Sequence, residues 1–110
     1  MIIIRDKKIQ WPGKSGVKYD FSIHAINDSF SKEGAVYIFT KPQSRAYLPV
    51  YIGKTDNMKE RFSNHEKWDD IIKLGATKVH IHIDNVEKSR IQKETDLIER
   101  WKPELNVQHT

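Results

Sequence analysis

Seven side chains in this 110-residue sequence carry useful chemistry at suggestive spacing: Tyr37, Tyr51, Lys54, Arg61, His65, Glu94 and Asn106. They are scattered along the chain, yet each hangs on or beside an otherwise apolar segment. Tyr37 and Tyr51 fall in two β-branched and aromatic runs that can lie side by side. Gly53 frees the backbone at the end of the second run, and Arg61 and His65 stand four apart, the spacing of one helix face. Tyrosine and histidine can orient or move protons, an arginine presents a planar fork of donors matched to phosphate oxygens, and a carboxylate is a hard oxygen donor. Each also has a plain structural alternative. Glu94 could be a solvated helix residue, Arg61 a partner for Glu60 or Asp56, Tyr51 a strand aromatic, Lys54 a loop lysine, and Asn106 a turn residue.

The elements that must position these residues follow from hydrophobic period and punctuation. Ile2-Ile3-Ile4 reads as a short strand, Gln10 to Gly16 as a turn carrying Pro12-Gly13, and Val17, Tyr19, Phe21 and Ile23 as the buried side of a half-buried strand. Val36 to Phe39 and Pro49 to Ile52 read as an antiparallel pair joined by a polar loop, Thr40 to Leu48. Asp56 is a suitable N-cap for a helix from about Asn57, with Met58, Phe62 and His65 on one side, and a second short helix, Asp69 to Leu74, ends at Gly75. Thr77 to Ile83 is expected to be a strand with Val79 and Ile81 buried and His80 and His82 facing solvent. Asn85 can cap the longest helix, Val86 to Trp101, whose apolar stripe is Ile91, Thr95, Ile98 and Trp101 with Leu97 beside it, and which stops before Pro103. Trp11, Trp68 and Trp101 read as core.

Composition bounds the possibilities. One domain is expected at this length, and 31% charged residues with a mean hydropathy of -0.70 suit a soluble globular chain. Nineteen Lys and Arg against fifteen Asp and Glu give a net charge of +4, which is compatible with a polyanionic partner. Lys7, Lys8, Lys14 and Lys18 could track a phosphate backbone or form a solvated face. The absence of cysteine excludes disulfides, thiolate metal sites and a cysteine nucleophile, and a cytoplasmic location fits. The short apolar start before Arg5 suggests neither a signal peptide nor a membrane span.

Gly34-Ala35-Val36-Tyr37 followed by Tyr51-Ile52-Gly53-Lys54 resembles the two half-motifs that name the GIY-YIG nuclease superfamily. Arg61 and His65, then Glu94, then Pro103-Glu104-Leu105-Asn106 match in order, so the resemblance runs from about Gly34 to Val107. The first half-motif departs from its namesake in carrying Ala35-Val36 before the tyrosine. The resemblance implies a small α/β domain with a central three-stranded antiparallel sheet flanked by helices, residues 34–110, and an N-terminal β extension packed on it, residues 1–33. It implies a metal-dependent endonuclease that nicks one strand of nucleic acid, most readily DNA. Glu94 would hold one Mg2+ or Mn2+, Arg61 would clamp the scissile phosphate, and Tyr51 would act as general base with Tyr37 supporting the water or phosphate. A tyrosine base needs its pKa lowered, by Lys54 or the metal. His65 could share the proton transfer, Lys54 could contact phosphate, and Asn106 would tether the site loops. Double-strand cleavage would require a homodimer. The alternatives are a catalytically silent nucleic-acid-binding module, against which Tyr37, Tyr51, Arg61 and Glu94 together argue, or a nuclease subunit targeted by a partner protein.

Overall fold

The computed structural model describes residues 7–107, so the strand expected at Ile2 to Ile4 lies outside the described residues. Within the described residues five strands, β1 (Lys7–Pro12), β2 (Lys18–Ala25), β3 (Ala35–Gln43), β4 (Ala46–Thr55) and β5 (Lys78–Ile83), form one antiparallel sheet in the order β1-β2-β5-β3-β4. Among the described residues four helices accompany it: α1 (Met58–Ser63), α2 (Trp68–Lys73), α3 (Glu87–Trp101) and α4 (Glu104–Val107). This corrects the expected three-stranded sheet flanked by helices. The β1–β2 hairpin continues the sheet: β2 pairs with β5 from Ser22↔Ile81 to Ala25↔Lys78, giving β5 neighbours on both sides. Ladder hydrogen bonds on the open side of β5 need a partner, and the alternating Lys18 to Ala25 segment provides it.

The sheet is buried on both faces, which explains why β3 reads as a continuous apolar run. On the first face Tyr37, Phe39, Val79 and Ile81 pack with Met58, Ile71 and Leu105 of α1, α2 and α4. On the second, Val36, Ile38 and Ile52 pack with Trp11, Phe21 and Leu97. Because β1 and α3 cover that second face, His80 is fully buried rather than solvent-facing. Its Nδ1 accepts from Trp11 Nε1 at 2.8 Å, so its Nε2 carries the proton and donates to Thr40 Oγ1 at 3.1 Å. His82 is half-buried, with Nδ1 2.7 Å from the Asp20 carbonyl and Nε2 receiving Lys93 Nζ at 2.8 Å.

The hairpin is held from α3 by Asp96. Its carboxylate accepts from Ser15 N at 2.8 Å, Ser15 Oγ at 2.6 Å and Tyr19 Oη at 2.7 Å, and Trp101 Nε1 donates to the Pro12 carbonyl at 2.8 Å. The inward stripe of α3 is therefore Arg90, Glu94, Leu97 and Trp101, at steps of four, three and four. Ile91, expected inward, is exposed. The apolar count misled because two positions of the true stripe are charged.

Several boundaries shift for local reasons. The expected polar loop Thr40 to Leu48 is mostly strand, closing in a tight turn at Ser44, whose φ of 54° is left-handed. The cap of α1 is Asn57, whose side chain accepts from Glu60 N at 3.1 Å, rather than Asp56. Asn85 does not cap α3. Its Oδ1 accepts from Gly34 N at 2.7 Å, tying the start of β3 to the β5–α3 connection.

Candidate active site

Tyr37 is the third residue of β3, opposite Gly53 of β4, with its side chain on the first face. A Cβ at position 53 would collide with the Tyr37 ring and hydroxyl. Gly53 is not among the positive-φ glycines, so its role is clearance for this tyrosine rather than the backbone freedom expected from sequence. The Tyr37 hydroxyl is 2.9 Å from His65 Nε2 and receives Arg61 Nε–H at 3.3 Å. His65 lies beyond the end of α1, past the C-cap Asn64, and not on the helix face shared with Arg61. The turn back toward the sheet, rather than helical spacing, brings the two together.

The tautomer of His65 follows from its other nitrogen. Nδ1 accepts the Lys67 backbone N–H at 3.0 Å, so the ring proton sits on Nε2 and is donated to Tyr37. Burial, aided by the nearby Arg61 charge, pushes the His65 pKa down to about 4, which keeps the ring neutral at neutral pH. Arg61 and His65 both donate to the Tyr37 oxygen, and the residue is fully buried. Burial raises the Tyr37 pKa far above the ordinary phenol value, although the Arg61 hydrogen bond opposes the rise. Tyr37 is therefore a protonated, fixed hydroxyl.

Tyr51 follows on the same face, half-buried, its ring edge-on to His65 with centroids 5.4 Å apart and 6.3 Å from that of Tyr37. Burial raises its pKa first, the Arg61 charge opposes this, and the Glu94 and Glu66 charges add to it. Arg61, not Lys54, is thus the protein cation that favours a Tyr51 phenolate. Lys54 has the opposite strand parity and pairs with Glu94, Nζ to Oε1 at 3.6 Å. The side chain of Glu94 is 20% exposed, and burial raises its pKa while Lys54 lowers it. Glu94 arrives from α3 on the second face, yet its charge is felt at both tyrosines. The site straddles the edge strand β4.

The remaining members brace this arrangement. Arg61 extends its other arm to Glu66 at 3.2 Å, a partner the sequence reading did not single out. Asn106, beside α3's C-terminal end in the chain, brackets one residue of the edge strand: Oδ1 accepts from Ile52 N at 2.7 Å and Nδ2 donates to Ile52 O at 2.8 Å. Its amide mimics a neighbouring strand and fixes β4 between Tyr51 and Gly53. Sequence reasoning also passed over Arg90, although it lies one helical turn before Glu94 on the same stripe. Its apolar-stripe criterion ignored charged residues.

No three His, Asp or Glu side chains converge on one point among the described residues. A divalent ion here would have Glu94 as its protein carboxylate and take water or substrate oxygens otherwise. One partly open, hard oxygen donor suits an ion that stays largely hydrated. Lys54 shares that carboxylate and would yield to the ion.

Comparison with protein-family models, curated proteins and solved structures finds no match. No helix among the described residues is long and apolar enough to cross a membrane.

Proposed function

We propose that this chain is a divalent-metal-dependent endonuclease of the GIY-YIG type, hydrolysing phosphodiester bonds and nicking DNA one strand at a time. The observation that carries the reading is the Tyr37 hydroxyl gripped by Arg61 and His65, with the Tyr51 ring 6.3 Å from that of Tyr37 and the Glu94 charge near enough to be felt at both. Phosphodiester hydrolysis needs an oriented water, neutralisation of the charge that builds on phosphorus-bound oxygens, and help for the leaving oxygen. The Arg61 guanidinium stands at the open side of this group with donors matched to phosphate oxygens. The Tyr37 hydroxyl, fully buried, acts behind Arg61: by accepting from Nε it holds the guanidinium so that its remaining donors can meet the phosphate. Tyr51, partly open to solvent, is placed to orient the attacking water. Glu94 would hold a divalent cation, which supplies Lewis-acid charge stabilisation when bound. Lys54, released from Glu94, remains beside the substrate as a counter-charge. One domain with one such group cuts one strand, so a double-strand break would come from a homodimer or from a partner that recruits the chain. A chain without cysteine works unchanged in a reducing compartment, and we place it in the cytoplasm.

The Lys54–Glu94 ion pair favours a second reading, a nucleic-acid-binding module without turnover, because it already neutralises the would-be metal ligand. Incubation with plasmid, branched DNA, single strands and RNA in Mg2+ or Mn2+, with EDTA as control, separates the two. The nuclease reading expects metal-dependent nicking that Glu94→Ala abolishes with the fold retained. Binding with no product from any substrate supports the silent module, and full activity in Glu94→Ala removes the metal assignment.

A further inference from the structure

A pocket of about 260 Å3 lies beside the proposed site, lined by Lys54, Thr55, Asp56, Glu87 and Arg90. Two features make its floor receptive to an anion. Arg90 is only 7% exposed, and its one hydrogen bond among the described residues, NH1 to the Asp84 carbonyl at 3.0 Å, uses a single one of five N–H donors. No buried side-chain nitrogen lacks a partner among the described residues, so the rest of the fork must open on solvent, and the pocket is what it lines. Arg90 also stands in the first turn of the 15-residue helix α3, whose N-cap Val86 gives no side-chain hydrogen bond. The Asp84 carboxylate already occupies that helix end, accepting from Val86 N at 3.0 Å and Ser89 Oγ at 2.6 Å, so the helix dipole adds nothing to the pocket, whose receptiveness comes from the guanidinium. Finally, Gly34 makes room for the guanidinium: a Cβ at position 34 would lie 2.5 Å from Arg90 NH1. An arginine this buried, seated in a glycine cradle with most of its donors unused, is a built feature.

From these observations we infer that Arg90 and Lys54 form a phosphate subsite that takes a backbone phosphate of the nucleic acid adjacent to the scissile one. This rests on the proposed nuclease reading. Lys54 connects the two sites, since it lines the pocket and also reaches Glu94. The guanidinium fork fits phosphate oxygens bidentately, and the lysine adds a point charge. Asp56 and Glu87 also line the pocket. Both are exposed and can turn outward into water, whereas the Arg90 fork is fixed. Their charges tune the site against small, weakly bound anions and favour a ligand anchored elsewhere along the same strand.

The test is equilibrium binding of a labelled DNA oligonucleotide across a salt series without divalent metal, run on wild type, Arg90→Gln and Lys54→Gln, with thermal melts of each. Each lost phosphate contact should reduce the slope of log affinity against log salt by about 0.7 to 0.9. Arg90→Gln is expected to lose about one such contact while melting near wild type. An unchanged slope in a folded Arg90→Gln overturns the subsite. Should Arg90→Gln not fold, Gly34→Ala, which crowds the guanidinium out of its cradle, and the exposed Lys54→Gln replace it, and unchanged slopes in both overturn the proposal equally. Inorganic phosphate is the second probe. Stabilisation of wild type by millimolar phosphate that disappears in Arg90→Gln, with no slope change on DNA, reassigns the pocket to free phosphate and overturns the backbone subsite. Cleavage assays keep the two readings apart: metal-dependent nicking with an unchanged slope removes only the subsite, and a reduced slope without any cleavage removes only the nuclease.

Discussion

The ring and hydroxyl of Tyr37 occupy the space above Gly53 that a side chain at position 53 would fill. Phe39, Phe62 and His65 each meet the Tyr37 ring edge-to-face at centroid distances of 4.9 to 5.8 Å, so the ring has nowhere to retreat. Gly53→Ala should therefore cost about 1–3 kcal/mol, the usual penalty for overpacking a closed core. It should also dislodge the hydroxyl from Arg61 and His65. Chemical denaturation and a cleavage assay on the same preparation check both effects. Wild-type stability together with wild-type rate would mean that the ring is not pinned.

Stability should depend on pH through two buried imidazoles. Burial pushes His65 and His80 each down to about 4, whereas an unfolded histidine takes up its proton near 6.5. Between these values the unfolded chain binds more protons than the folded one, so stability is fully present above pH 6.5 and is lost as pH falls toward 4. The depressed carboxylates Asp84 and Asp96 contribute stability that is lost only at lower pH still, as they protonate. Urea midpoints measured from pH 7.5 to 4.5 should fall, and His80→Gln, which can keep a donor and an acceptor, should fall less steeply. Parallel curves for the two proteins would show that His80 does not titrate differently on unfolding.

The N-terminal hairpin should depend on a single carboxylate. Asp96 accepts three hydrogen bonds from Ser15 and Tyr19, and a Cβ at Gly13 would strike its carboxylate. Bonds to a charged acceptor contribute more than neutral ones, and Asp96→Ala should cost about 2 kcal/mol. Hydrogen exchange should quicken first in β1 and β2 and leave β3 and β4 protected. Uniform loss of protection would mean that the hairpin and the core unfold as one unit.

How far this was readable beforehand differs by element. The runs of β3 and β4 and the ends of α2 and α3 follow from local pattern, because β-branched strands, Gly75 and Pro103 act within a few residues of themselves. The docking of the hairpin was not legible, since it rests on Asp96 meeting residues about eighty positions earlier, and no local pattern encodes that. The burial of His80 and the true stripe of α3 failed for the same reason: both depend on which face α3 and β1 cover. At the site, the residue types were visible, but the arrangement was not. His65 reaches Tyr37 from a turn rather than from a helix, Lys54 serves Glu94 rather than Tyr51, and Gly53 provides clearance that only the cross-strand register reveals.

The two tyrosines should separate stability from chemistry. Tyr37→Phe keeps the ring but removes the oxygen that accepts from Arg61 Nε and His65 Nε2, leaving a buried donor on His65 without its partner. That should cost about 1–3 kcal/mol of stability in addition to any loss of rate. Tyr51 is half-buried, and its hydroxyl neighbours Arg61 but bonds neither Tyr37 nor His65. Tyr51→Phe should therefore melt close to wild type while the chemical step slows by about a hundredfold or more, the usual worth of positioned proton handling. Burial and the Glu94 charge hold the Tyr51 hydroxyl protonated, with Arg61 opposing them. A cation at Glu94 would screen the Glu94 contribution and lower the Tyr51 pKa. The wild-type single-turnover rate should then rise with pH in the presence of Mg2+ or Mn2+, and Tyr51→Phe should flatten that rise. Single-turnover cleavage by both variants across pH, with thermal melts, reads all of this. An unchanged rate in Tyr51→Phe takes Tyr51 out of the mechanism, and a slowed rate with an unaltered pH profile makes it a residue that positions the water without taking its proton.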